Sequence, residues 1–132
     1  MDVVISQISL VSLFCICIII GTIVFAYYKK LMITYALIIA NFVVFVISYI
    51  YPIVIYELGF QPIYLSLEFL PQLYTLITSM FVHGGFAHIF GNMLVFLFMG
   101  MAFEQRIGRK NFLIIYLITG ICGALTHSTL NL

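Results

Sequence analysis

The sequence predicts an all-α fold, a polytopic transmembrane helical bundle of about four spans. Three observations lead there. Apolar residues make up 65% of the 132 positions, and mean hydropathy is +1.28. Only 5 Lys and Arg and 4 Asp and Glu are present, 7% of the chain, where a soluble domain carries about 25%. Those few charges are spaced so that uncharged runs of 26, 26, 35 and 22 residues separate or follow them. A hydrocarbon core of roughly 30 Å needs about 20 helical residues. Unpaired backbone amides are too costly in lipid, and no alternating pattern suggests a barrel, so the spans are helices.

The first span, near residues 7–28, lies between Asp2 and Lys29. It has no basic leader and no small-x-small site before Tyr27 and Tyr28, so it reads as a retained helix and not a cleaved signal. The second, near 32–55, follows the Lys29-Lys30 turn. A stretch from about 57 to 83 comes next, with Glu57, Glu68, Pro62, Pro71 and Gly59 and no Lys or Arg. A connection this long is expected to be functional or partly helical. Tyr56, Phe60, Tyr64, Phe69 and Tyr74 suit an interfacial loop, and simple anchoring is an equal reading. The third span, near 84–103, and the fourth, near 111–128, flank Arg106, Arg109 and Lys110.

All five basic residues therefore fall on one side of the bundle. By the positive-inside rule that side is cytoplasmic, and both termini and the 57–83 stretch are outside. The expected location is the plasma membrane of a prokaryote, with membrane lipid as a constant partner. A net charge of +1 gives no basic surface for a phosphate backbone, which excludes nucleic acid as a partner. Cys15, Cys17 and Cys122 have no Cys-x-x-Cys or His at ligand spacing and read as buried free thiols.

Polar residues inside the third span carry the chemistry. His88 and Asn92 are four apart, hence about 40° apart in azimuth and about 6 Å in rise, on one helix face expected to point into the bundle. His83, extrapolated on the same helix, lies about 140° round from His88 and reads as a tie between loop and helix. Ala87 and Gly91, with Gly120, Ala124 and Ser128, predict close packing of the third and fourth spans. Asn41, in the second span, is expected to bond across to another helix. Glu104 reads either as anchoring a turn through Arg106 or Arg109 or as an ordinary interfacial charge.

Two readings of His88 and Asn92 stand side by side. As interhelical hydrogen-bond glue each contact is worth roughly 0.6 to 2 kcal/mol. As donors to a developing oxyanion in a water-poor pocket, each is worth about 2.7 to 4 kcal/mol to a transition state.

At these residues the chain resembles the rhomboid intramembrane serine proteases. His83-x4-His88-x3-Asn92 resembles that family's second-core-helix motif, and Leu76-Ile-Thr-Ser-Met-Phe-Val-His-Gly-Gly85 and Glu104-Gln-Arg-Ile-Gly108 resemble its flanks. Thr34-Tyr-Ala-Leu-Ile-Ile-Ala-Asn41 resembles the first core helix, and Tyr116-Leu-Ile-Thr-Gly120 the third. The resemblance implies an incomplete rhomboid fold: residues 1–30 as an additional N-terminal span, and 31–132 as the first three core helices with the long first loop. It implies cleavage of transmembrane segments of substrate proteins by a Ser-His dyad, with no metal, cofactor or ATP. His88 and Asn92 would then stabilise the oxyanion, with His83 and Glu104 structural.

The departure from the family matters as much. No Gly-x-Ser-Gly occurs, and neither the family's nucleophile nor its second catalytic His is within the 132 residues. Gln72-Leu-Tyr-Thr stands where many members carry a Trp-Arg pair. A serine without a base in reach attacks poorly, so this chain alone is expected to be inactive. The alternative is a non-catalytic rhomboid-like adaptor or quality-control protein that binds transmembrane helices.

Overall fold

A computed structural model describes residues 8–65 and 72–130, with side chains excepted at 64 and 65. Glu68 and Phe69, and the side chain of Tyr64, lie outside the described residues. Six α-helices appear there: α1 (Leu10–Tyr28), α2 (Ile33–Ile50), α3 (Ile53–Leu58), α4 (Thr75–Thr78), α5 (Phe86–Ile107) and α6 (Arg109–Leu130). Short 3-10 turns occupy Pro62–Leu65 and Ser79–Phe81, and no strand occurs among the described residues. Four helices, α1, α2, α5 and α6, are long and apolar enough to cross a membrane.

The ends of α1 and the stop of α2 have local causes. Ser9 opens α1, its Oγ accepting from the Ser12 amide at 3.2 Å. The same residue is gripped by Glu57, whose carboxylate accepts from the Ser9 amide at 3.2 Å and the Ser9 hydroxyl at 2.6 Å. At the other end of α1, the Lys30 amide bonds the Tyr27 carbonyl and the Leu31 amide bonds Ala26, the paired pattern of a Schellman stop. Lys30 takes the left-handed position there, with φ 57°. The second span is shorter than the sequence suggests. It ends at Ile50 because Pro52 lacks an amide and holds Tyr51 out of helical geometry, and the chain restarts as α3.

No side chain of the preceding turn caps α2. Glu104, reaching across from α5, does so instead: Oε1 accepts from the Ile33 amide at 2.6 Å, and Oε2 from the Thr34 amide at 2.8 Å and hydroxyl at 2.7 Å. Glu104 is buried. A carboxylate on two orphan amides meets both the hydrogen-bonding need and the positive end of the helix dipole. Neither role anticipated for Glu104, a partner to Arg106 or Arg109 or a solvated charge, is what it does. Arg109 instead donates to the Tyr27 carbonyl at 3.0 Å and lies 5.4 Å above the Tyr27 ring, finishing α1. These contacts bring both basic turns to one end of the bundle, and the Ser9–Glu57 contact marks the opposite end.

α2 is the central helix. Ile33, Leu37, Ala40 and Val44 are fully buried, packed with Cys15, Ile19 and Ala26 of α1. Between α2 and α5 the close approach is at Gly100, where an added Cβ would stand 3.0 Å from Thr34 Cγ2 and 3.5 Å from Phe112 Cζ. An aromatic cluster then joins α5 and α6, with Phe96 5.4 Å from Tyr116 and 6.0 Å from Phe112 between ring centres. Small residues act elsewhere than expected. Ala87 and Gly91 are exposed, and a Cβ at Gly91 meets nothing within 4 Å, whereas Gly120 is pressed against Met80 from the turn before α5. Of the thiols only Cys15 is buried; Cys17 and Cys122 lie on uncovered helix faces. Asn41 is fully buried but donates to Leu37 of its own helix at 2.7 Å. Its Oδ1 has no hydrogen-bond partner among the described residues, while the Asn41 side chain lies close to the Tyr116 hydroxyl of α6.

Burial is uneven. In the most apolar window of each span, 44% of α2 is buried against 11% of α5 and 6% of α6, so the last two spans present mostly uncovered faces.

Candidate functional site

The loop before α5 fixes where the site begins. Tyr74 Oη donates to the Glu57 carbonyl at 2.8 Å, and Thr78 Oγ1 to the Leu58 carbonyl at 2.8 Å, so α4 is tied to α3 through two hydroxyls. Tyr74 lies in the segment where the Trp-Arg pair is missing; the sequence marked it only as an interfacial aromatic and did not mark Thr78, because their acceptors are backbone groups 17 and 20 residues away. Phe81 is fully buried and meets Tyr116 edge-on at 6.4 Å. The chain leaves this turn at Val82 and enters α5 only at Phe86, after an extended Gly85.

His83 therefore does not continue the helix of His88. Its ring folds back on the His88 ring, 5.2 Å between centres at 67°, instead of standing 140° away. The reason for the difference is the Gly84-Gly85 break, across which a helical projection does not hold. His83 is 6% exposed, and its Nδ1 has no hydrogen-bond partner. Burial holds its pKa below the ordinary histidine value, the neighbouring His88 adds to that, and the Phe81 carbonyl opposes both. The ring also borders a cavity of about 450 Å³ between the end of α2 and the start of α5, shared with Ser48, Tyr49 and Phe86.

His88 and Asn92 are both exposed and make no hydrogen bond among the described residues. The packed face of α5 runs through Ile89, Met93, Gly100 and Glu104. The pair thus lies on a face that none of the described spans covers, and the expectation that these spans enclose it is not met. Ser48 donates to the Phe45 carbonyl at 2.9 Å, and Ser128 to the Ala124 carbonyl at 2.9 Å. Among the described residues no third His, Cys, Asp or Glu joins His83 and His88 in a metal-holding group.

Comparison with known proteins places this arrangement. Residues 70–132, which contain the two histidines, Asn92 and Glu104, match the family model of the rhomboid domain. That segment, just under half of the chain, is similar to the rhomboid domain. RHOMBOID-like protein 7 of Arabidopsis thaliana is 35% identical over 54 residues, covering 41% of this chain and 17% of that protein. RHOMBOID-like protein 1 of the same plant is 33% identical over 60 residues, 46% of this chain and 15% of the relative. The matched parts thus span less than a fifth of either relative. No solved structure matches the chain. In this chain α1 and α2 precede the matched residues, yet α2 forms the core on which the matched α5 is seated through Glu104.

Proposed function

We propose that His88 and Asn92 hold the oxyanion in an intramembrane serine endopeptidase that cuts transmembrane segments of membrane proteins, with the serine and its base supplied by rhomboid sequence outside these 132 residues. The observation that carries this reading is the uncovered face of α5 on which the two donors sit one turn apart. When a serine attacks a peptide carbonyl, the oxygen gains a full charge. The two residues are separated by about 6 Å of helix rise at the backbone. Side chains leaving one face at that spacing can both donate to one oxygen at about 2.7 to 3.1 Å. His83, packed edge-on against His88, limits the rotation of that ring and so acts on position rather than on substrate. In this reading the end of the bundle carrying Ser9, Glu57 and His83 faces outward, because the five basic residues gather at the other end.

The test supplies the missing helices. Co-expressed or fused in frame with the rest of a rhomboid domain carrying Gly-x-Ser-Gly, the chain is expected to cleave a model transmembrane substrate. Asn92→Ala and His88→Ala should each lower the rate about 10²-fold or more. Equal rates for wild type and both variants refute the oxyanion assignment. A second reading, a non-catalytic adaptor for transmembrane helices, is favoured by the lack of Gly-x-Ser-Gly in these residues. It predicts a stable 132-residue product that co-purifies with a membrane partner whether or not His88 is present.

A further inference from the structure

A second feature lies at the opposite end of the bundle, away from the histidines. Thr22, Phe25, Leu31, Tyr35 and Ile39 line a groove of about 400 Å³ between α1 and α2, and Lys30 stands at its rim. The groove is apolar along its length and ends at the Lys29-Lys30 turn, where a spanning helix meets the headgroup layer.

Lys30 occupies the left-handed position of the Schellman stop, with φ 57°. Glycine is the usual residue there, because a Cβ crowds the neighbouring carbonyl in that conformation. It is the one non-glycine residue with positive φ among those described. A lysine held at such a position against its own backbone preference directs attention to the side chain. Among the described residues no carboxylate neutralises it. The two described carboxylates are engaged elsewhere, Glu57 by Ser9 and Glu104 by Ile33 and Thr34. Arg109 is taken up by Tyr27. Lys29, Lys30, Arg106 and Lys110 are left as exposed cations around the same end.

We propose that this groove is a binding site for an anionic phospholipid, with an acyl chain along α1 and α2 and the headgroup phosphate on the Lys30 ammonium. The argument is charge complementarity joined to shape: an apolar furrow of about 400 Å³ ending at a cation that no described carboxylate neutralises. A basic residue close to the membrane surface favours an anionic lipid by about 1 kcal/mol, or about fivefold.

The experiment uses the whole chain in neutral detergent, titrated with palmitoyl-oleoyl phosphatidylglycerol or with phosphatidylcholine of the same chains. Retained lipid is counted by native mass spectrometry. Wild type should keep phosphatidylglycerol about fivefold more readily than phosphatidylcholine. Lys30→Gly should abolish the preference while resisting denaturation at least as well as wild type, since the backbone strain is relieved. Lys30→Gln should abolish it too, and Lys29→Gln should leave most of it. Glycerol 3-phosphate, the headgroup without tails, should not compete. The proposal is overturned if Lys30→Gly keeps the preference, if Lys29→Gln loses it equally, or if glycerol 3-phosphate displaces the lipid.

Discussion

Replacing Glu104 tests the way α2 is held. Its two oxygens take three donors, the Ile33 and Thr34 amides and the Thr34 hydroxyl, at 2.6, 2.8 and 2.7 Å. Glu104→Ala strips both amides of their acceptor. A buried donor left unpaired costs about 1–3 kcal/mol, so two cost about 2–6 kcal/mol, before any loss of charge–dipole attraction. Glu104→Gln is the finer probe. A carboxamide keeps one acceptor oxygen, which can stay on the Thr34 pair, and turns its NH2 toward the Ile33 amide, where donor meets donor. One charge-assisted bond is lost, about 1.5–3 kcal/mol. Thr34→Val removes the hydroxyl bond alone, and a double-mutant cycle with Glu104→Gln should show coupling because the two share one carboxylate. The assay is unfolding in mixed micelles by increasing SDS, followed by circular dichroism. Glu104→Ala within about 0.5 kcal/mol of wild type, or additive behaviour of the two milder variants, refutes the capping account.

The remaining predictions concern single contacts. Burial raises the Glu57 pKa, but hydrogen bonding, with the Ser9 amide and hydroxyl donating to the carboxylate, lowers it further, leaving it below its ordinary value of 4.5. A depressed carboxylate stabilises the fold fully above 4.5 and loses that contribution as pH falls through its lower folded value, so the wild-type advantage over Glu57→Gln should shrink in acid. Unfolding midpoints measured from pH 6 downward check it. Gly108 joins α5 to α6 alone, with φ 83° and ψ 160°, a region nearly confined to glycine. Gly108→Ala should cost about 1–3 kcal/mol in the same micelle assay. Gly120→Val drives a branched side chain into Met80 and should cost about 1–3 kcal/mol, with Met80→Ala restoring much of it.

How far the sequence could be read depended on the range over which each signal acts. Charge-free runs located all four spans, because the cost of burying charge in lipid acts on every residue independently. The end of α2 was misplaced by a few residues because its bound was set by the charge-free run up to Glu57, which carries past the stop at Pro52. The spacing of His88 and Asn92 on one helix was legible, since four residues inside a helix obey fixed geometry. The contact of His83 with His88 was not, because two glycines intervene and a helical projection fails there. Glu104 was unreadable for a different reason: its partners are 70 and 71 positions away, and no local pattern marks a cap supplied by another helix. The thiols and small residues of α5 and α6 were misjudged for a common cause. Composition separates lipid from water but does not tell which side of a span meets another helix, and much of α5 and α6 meets none among the described residues.

The Glu104 cap has a consequence for biogenesis. Ribosomes deliver Ile33 and Thr34 some seventy residues before the carboxylate that completes them. While the nascent chain is being threaded, the start of the second helix must borrow solvent or lipid headgroups for its bare amides. It becomes fully satisfied only when the later hairpin docks. Insertion and final assembly are thus two separate events in this protein, and a mutation at residue 104 would act on the second while leaving the first intact.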